Sequence, residues 1–267
     1  MNTMFMNPMS QGEIRAAAPA VFATEAHPSM SSRYGFFNTG EILNIMANEG
    51  YVTVEAKQDP ARRRLPGYVR HQVKLVHEDA LNNKSKLLVG EVIPTINLIN
   101  SHNGKSKFHL FSGMFRLVCS NGLIIADKGN AEMEQMRHAA SLVDEVIKRM
   151  RAAAARVTQT TRQIEHWRNV ELSETEVTAF ATRALELRFG ESAKAYDVET
   201  ALQTRRDEDA GRTMWRVLNR VQENLSKGGV IGRSALGRQI RSRALNGITA
   251  DVAFNKGIWE LAEGIAG

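Results

Sequence analysis

The chain has 267 residues, with 35 Lys and Arg against 29 Asp and Glu, so its formal net charge is +6. Its hydrophobic content of 43% and charged content of 24% are ordinary for a folded protein and exclude disorder throughout. The single cysteine, Cys119, excludes an intramolecular disulfide framework, and no membrane-length apolar run or signal peptide is evident. We therefore expect a cytoplasmic protein without membrane attachment, whose positive charge suits an anionic partner.

The N-terminal region is irregular up to the first clear helix signal. Residues 1–30 carry Met, Ala and Pro without a period, which predicts a mobile arm with one short helix near residues 14–18. Thr39 then offers an N-cap for a helix with apolar residues at helical spacing. Gly50 is expected to end this helix in a left-handed conformation.

A β-rich stretch follows, with turn signals between its segments. Pro94 cannot donate to a strand ladder, so we expect it at a strand start, an edge or a bulge. Asn103-Gly104 predicts a type I′ hairpin turn. The predicted strands cover residues 51–56, 68–77, 91–100, 107–119 and 123–126.

The pattern becomes helical from about residue 130. Apolar residues recur at spacings of three and four, which predicts a long helix over residues 130–170. Ser173 and Glu176 form a capping-box pattern that opens a helix stopped by Gly190. Further helices are expected over residues 213–226 and 257–266.

This order of elements predicts an α+β fold rather than alternating βαβ units. We expect an antiparallel sheet of four or five strands with the long helix packed on it, followed by a helical C-terminal region. The predicted divisions are the mobile arm at 1–30, the α+β core at 31–170, and the helical region at 171–267 with a basic Gly/Arg-rich segment.

No pattern in the sequence indicates catalysis. The nucleophile elbow, the zinc-protease helix and the dinucleotide-binding glycine motif are all absent from it. We therefore expect a protein that is not an enzyme and holds no cofactor or metal. A nuclease is the least favoured of the functions considered. Asn100, Ser101 and His102 are polar side chains next to the predicted turn that could face a ligand.

Two basic stretches suggest contact with an anion. One is the turn of Arg62, Arg63 and Arg64. The other is residues 227–243, with five cations, no acid and four glycines, which is either a flexible solvated loop or a phosphate-binding segment. We expect it to be protease-sensitive in the isolated protein and ordered by a partner. Arg116 either pairs with an internal carboxylate or offers its fork to a phosphate. The candidate nucleic-acid-binding residues are Arg62, Arg63, Arg64, Arg70, Lys74, Lys105, Lys107, Arg116, Lys227, Arg233, Arg238, Arg241 and Arg243.

Four motifs resemble one known family. They are Asn100-Ser101-His102-Asn103-Gly104, the run from Gly113 to Leu123, Arg188-Phe189-Gly190, and Gln222-Glu223-Asn224-Leu225 with Lys227-Gly228-Gly229. Their order and spacing are similar to the YafZ/YfjQ/YubP family of plasmid- and prophage-borne proteins, over residues 19–262. That family carries no established activity, so the resemblance implies only a mobile-element origin in a bacterial cytoplasm.

A broader resemblance concerns architecture. A helix, antiparallel strands and a long helix, with basic hairpins, look like the core of single-strand annealing recombinases such as lambda Beta, RecT and Erf, an analogy of fold alone. We therefore expect a protein that binds single-stranded DNA and anneals complementary strands as a ring or filament, with Tyr68 or Phe108 available for base stacking. The alternative is a plasmid or prophage accessory protein that binds and blocks a host defence or repair enzyme.

Overall fold

The computed structural model describes residues 7–61, 65–82, 92–116, 122–124, 132–133, 144, 148 and 160–266. The chain divides into two compact units, one formed by residues 1–123 and 127–157 and the other by residues 124–126 and 158–267. The boundary that the sequence suggested at residue 170 thus falls inside the second unit. No helix in the described ranges is long and apolar enough to span a membrane.

The first unit is built on an antiparallel sheet. The strands are β1 (Tyr51–Gln58), β2 (His71–His77), β3 (Val92–Asn100), β4 (Phe108–Arg116), β5 (Gly122–Ile124) and β6 (Glu132–Met133). Strands β1 to β5 lie in chain order, and β6 pairs with β4. Consecutive pairs from β1 to β4 are all antiparallel. The predicted α+β class with an antiparallel sheet is confirmed.

The segment before the sheet packs into the core of this unit. Helix α1 (Gln11–Ala17) begins with a capping box between Ser10 and Glu13, and helix α2 (Thr39–Asn48) follows Asn38 as its N-cap. The buried side chains that these segments share with the sheet are Ile14, Ala18, Val21, Ile42, Met46, Val73, Leu75, Ile96 and Leu98. A short helix lies near the predicted position, and the apolar side chains of Ile14, Ala18 and Val21 within the predicted arm are buried.

The long helix predicted over residues 130–170 agrees with the structure only in part. Glu132 and Met133 form β6 instead, paired with His109 and Phe108 of β4. Asp144, Lys148 and residues 160–169 (helix α4) are helical. A short helix, α3 (Glu78–Asn82), follows β2. The rest of the predicted long helix lies outside the described residues.

The second unit is helical with one small hairpin. After α4 come α5 (Glu174–Phe189), α6 (Val198–Ala201), α7 (Met214–Lys227), β7 (Ile231–Arg233), β8 (Gln239–Arg241) and α8 (Ile248–Ala266). Trp167 and Trp259 form the centre of its core, with ring centroids 4.5 Å apart and both side chains fully buried. The predicted helical C-terminal region is confirmed.

Candidate nucleic-acid interface

The basic segment over residues 227–243 forms a two-stranded antiparallel hairpin rather than a flexible loop. In its register Ile231 faces Arg241 and Arg233 faces Gln239, so Arg233 and Arg241 share one face of the ribbon. Arg238 lies in the turn and Arg243 just beyond β8. All four arginines are exposed. Within the described part of the chain, none of their guanidinium groups forms an ion pair or a hydrogen bond.

The base of this hairpin is anchored by hydrogen bonds within its own chain. The Gly229 amide donates to the Ser242 carbonyl at 2.9 Å, the Ser242 amide donates to the Val230 carbonyl at 2.9 Å, and the Val230 amide donates to the Ser242 hydroxyl at 3.0 Å. Gly228 has a φ of 77°, and a Cβ there would lie 2.7 Å from the backbone of residues 242–244. The sequence predicts that this segment becomes ordered only when a partner binds, but the base of the hairpin is already ordered within its own chain.

The Arg188-Phe189-Gly190 motif supports the same base. Arg188 donates to the carbonyl oxygens of Leu225 at 3.3 Å and Arg243 at 3.2 Å. Phe189 stacks on Tyr196 with ring centroids 4.1 Å apart, and Tyr196 forms a bridge with Gly232 of β7. The motif thus connects α5 to the base of the hairpin.

Three further motif residues lie in a buried ion-pair cluster at the end of α7. The Glu223 carboxylate, 3% exposed, accepts from Arg206 at 2.6 Å and Lys227 at 2.7 Å. Asn224 accepts from the Arg205 Nε and donates to the Ala201 and Gln203 carbonyls, both at 2.8 Å. Lys227, predicted to bind nucleic acid, therefore has an internal carboxylate partner.

Two predicted cations of the first unit also have internal partners. Lys74 is 5% exposed, and its Nζ lies 2.8 Å from the Glu55 carboxylate. Arg70 lies 3.6 Å from the Asp59 carboxylate and donates to the Lys105 carbonyl at 2.9 Å. Burial argues against a phosphate contact for Lys74. Unlike the exposed arginines of the hairpin, Lys74 and Arg70 both have a carboxylate partner within the chain.

The remaining predicted cations lie in the β3–β4 loop, at the end of β4 or outside the described residues. Lys105 and Lys107 are exposed in the β3–β4 loop. Arg116 ends β4 opposite Val92 in the register. Arg62, Arg63 and Arg64, like Cys119, lie outside the described residues.

The polar side chains expected to face a ligand near this loop are buried instead. Asn100 is 3% exposed and Ser101 and His102 are fully buried. Asn100 Nδ2 donates to the Phe37 carbonyl and to the Thr39 hydroxyl, both at 3.1 Å. His102 Nε2 donates to the Ala20 carbonyl at 2.9 Å. This motif therefore fastens the N-terminal segment to the sheet.

The predicted hairpin turn is also longer than a type I′ turn. β3 ends at Asn100 and β4 begins at Phe108, so residues 101–107 form the connection. Gly104 does adopt the expected positive φ, 70°. The loop is widened because the Ser101 hydroxyl bridges to the Ser106 backbone, accepting from its amide at 2.9 Å and donating to its carbonyl at 3.0 Å.

The aromatic side chains proposed for base stacking are not both available. Phe108 is 2% exposed and packs against Phe37, with ring centroids 5.8 Å apart. Tyr68 is half-buried and forms a T-shaped contact with His27, with ring centroids 5.1 Å apart. Phe108 is thus a core residue.

Leu236 at the hairpin tip is a residue that sequence reasoning missed. Its side chain is 82% exposed, the largest exposure among the large apolar residues that the structure describes. The signal available was Ser234-Ala235-Leu236-Gly237 between two arginines, a turn sequence with one bulky apolar residue at its centre.

The described residues contain no group of three or more His, Cys, Asp or Glu side chains that could hold a metal ion. The hairpin of β7 and β8 thus gives the second unit an exposed cationic ribbon. Comparison with known families gives a direct assignment. The chain belongs to the family described as a domain of unknown function (DUF932), which matches residues 26–259.

Relatives in Escherichia coli K12 span nearly the whole chain. The UPF0380 protein YfjQ is 31% identical over 260 residues, covering 96% of this chain and 91% of its own length. The UPF0380 protein YafZ is 30% identical over 262 residues, covering 97% and 92%. No solved structure matches significantly. The resemblance to the uncharacterised YafZ and YfjQ proteins is confirmed.

Proposed function

We propose that this is a DNA-binding protein of a plasmid or prophage that acts in the cytoplasm and holds single-stranded DNA by its phosphates. The observation that carries the proposal is the exposed arginine ribbon of β7 and β8, whose four guanidinium groups have no partner among the described residues. In the annealing reaction that we propose, the subunits line up as a ring or filament and present these ribbons along one strand.

The chemistry of the ribbon suits a nucleic-acid backbone. A guanidinium is always charged and matches the oxygens of a phosphate with two parallel hydrogen bonds. Four such groups on one small hairpin repel one another unless an anion lies between them, since like charges at short range are unfavourable. The anchored base holds the ribbon in place before binding, which lowers the entropy lost on association.

Salt dependence of binding tests this proposal. Fluorescence anisotropy of a labelled oligothymidylate gives the dissociation constant over a series of salt concentrations. Each phosphate contact contributes about −0.7 to the log–log slope for a single strand. Replacing Arg233, Arg238, Arg241 and Arg243 by Ala should therefore flatten the slope by about 3 and weaken binding at low salt.

A matched variant controls for net charge. Arg162, Arg183, Arg212 and Arg216 are exposed on the helical part of the second unit or next to it, and their replacement by Ala removes the same formal charge. This control should keep most of the slope. Equal losses in both variants, or no binding by the native protein at low salt, would contradict the proposal.

The second candidate is an accessory protein that blocks a host defence or repair enzyme. It is favoured by the exposed apolar residue among arginines, because arginine is enriched in protein interfaces. Absence of DNA binding at low salt, together with the folded hairpin, would leave this candidate in first place.

A further inference from the structure

We propose that Leu236, at the tip of the basic hairpin, enters between neighbouring bases of the bound strand. This inference rests on the proposed function and adds a base contact to the phosphate contacts. Leu236 is 82% exposed, whereas Leu225 of the same unit is fully buried. A single exposed leucine is common on protein surfaces, but Leu236 is presented at the tip of a closed turn with an arginine on either side.

The turn that carries Leu236 is held in a fixed shape. The Ser234 amide donates to the Arg238 carbonyl at 2.8 Å, and the Gly237 amide donates to the Ser234 carbonyl at 2.8 Å. The Arg238 amide donates to the Ser234 hydroxyl at 3.2 Å. Gly237 completes the turn with a φ of 75°, and nothing lies within 4 Å of a Cβ built there. The tip is therefore a preformed projection with open space around it.

Charge around the tip selects the kind of partner. Arg233 and Arg238 lie on the two sides of Leu236 along the chain, and both are exposed without partners among the described residues. Phosphates bound on either side would bring the intervening bases onto the leucine. Apolar side chains inserted between base steps, including leucine, are a known device of minor-groove-binding proteins. Separating stacked bases is cheapest in a strand that is already single.

Base unstacking can be measured directly. A short oligothymidylate with one 2-aminopurine, moved along the strand in a set, reports loss of stacking as a rise in fluorescence. We expect the native protein to raise the fluorescence at some positions and Leu236→Ser to remove this rise. Affinity should fall about five-fold through the lost apolar contact, while the salt slope stays unchanged because no phosphate contact is lost.

Two variants make the result specific. Leu236→Met keeps an apolar side chain and should keep the fluorescence rise. Leu65→Ser changes another exposed leucine, 53% exposed in the first unit, and should behave as the native protein.

The outcomes separate this inference from the proposed function. If Leu236→Ser retains both the native affinity and the native fluorescence while the four-arginine variant loses binding, the base contact is wrong and phosphate binding stands. If Leu236→Ser changes the size of the protein assembly but not the fluorescence, Leu236 is a subunit contact and the inference is wrong. No binding by the native protein overturns both.

Discussion

At the scale of single residues, the Thr39 hydroxyl joins two buried polar side chains into one hydrogen-bond chain. The Val69 carbonyl can only accept, so His71 Nδ1 carries the proton that it donates over 3.1 Å. His71 Nε2 therefore accepts from Thr39, 2.8 Å away, and Thr39 accepts from Asn100 at 3.1 Å. Every member is satisfied only while His71 is neutral.

Acid should destabilise the first unit through this pair of histidines. Burial lowers the pKa of His71 to about 3, and the neighbouring His102 makes a smaller contribution in the same direction. Burial lowers the pKa of His102 to about 4. Both values lie below the ordinary pKa of about 6.5, so the unfolded chain takes up the protons first. Stability is fully present above about pH 6.5 and falls as the pH drops toward 4, by about 1.4 kcal/mol per pH unit for each histidine.

Urea unfolding between neutral pH and pH 4 would measure this loss, and the ring-proton NMR shifts of His71 and His102 would report their charge. Both rings should remain neutral at pH 5. Titration of either buried ring near its ordinary pKa would contradict the assignment.

Removal of the His102 ring should cost stability rather than binding. His102→Ala opens a cavity and leaves the Ala20 carbonyl without its donor, which we expect to lower the free energy of unfolding by about 2–4 kcal/mol. His166→Ala, on the exposed side of α4, should change it by less than about 0.5 kcal/mol. A melting temperature that is the same in both variants would place His102 outside the core.

At the scale of elements, Gly232 decides whether the basic hairpin can dock. A Cβ at this position would overlap the Ala195 carbonyl oxygen and lie 2.8 Å from the Tyr196 ring. Gly232→Ala should therefore loosen the hairpin base by about 1–3 kcal/mol. Limited trypsin digestion should then cut faster after Arg233 and Arg238. Gly264→Ala, where nothing lies within 4 Å of the new Cβ, should leave the cleavage rate unchanged.

The native hairpin should resist trypsin more than its composition predicts. Cleavage as fast in the native protein as in Gly232→Ala would mean that the base is not closed in solution, as the sequence reasoning first suggested.

Helices and strands could be predicted from the local sequence where each signal residue has a single structural role. The Ser173 and Glu176 capping box gave the start of α5 correctly. The predicted cap of α2 was wrong. The Thr39 hydroxyl forms a hydrogen bond with His71, and Asn38 is the residue that caps the helix. The sequence predicts a helix that begins at Gly257, yet this residue lies within α8, where a Cβ would meet Leu187 at 2.7 Å. Such tertiary uses are invisible in local patterns.

At the scale of the whole molecule, the proposed annealing function requires assembly. We expect mass photometry to show larger species when single-stranded DNA is added, because neighbouring subunits share one strand. The four-arginine variant should not grow to the same extent. A protein that stays the same size with bound DNA would retain the binding function and exclude the ring or filament.

The chemistry of the candidate interface could be predicted from the sequence, but the exact set of residues that form it could not. Sequence reasoning identified the arginines of residues 227–243 from charge and glycine content. It also included Lys74, because a cation on a strand looks exposed until its partner, Glu55, is known. It missed Leu236 because the exposure of one apolar residue depends on the shape of the turn.

The contact between His102 and the Ala20 carbonyl makes the first unit depend on the segment that precedes Met30. Translation starting at Met30 would produce a chain without α1 and without Ala20. The sheet would then lose the apolar cover of Ile14, Ala18 and Val21, and the His102 Nε2 would lose its acceptor. We expect such a product to be unstable and to be cleared by cellular proteases.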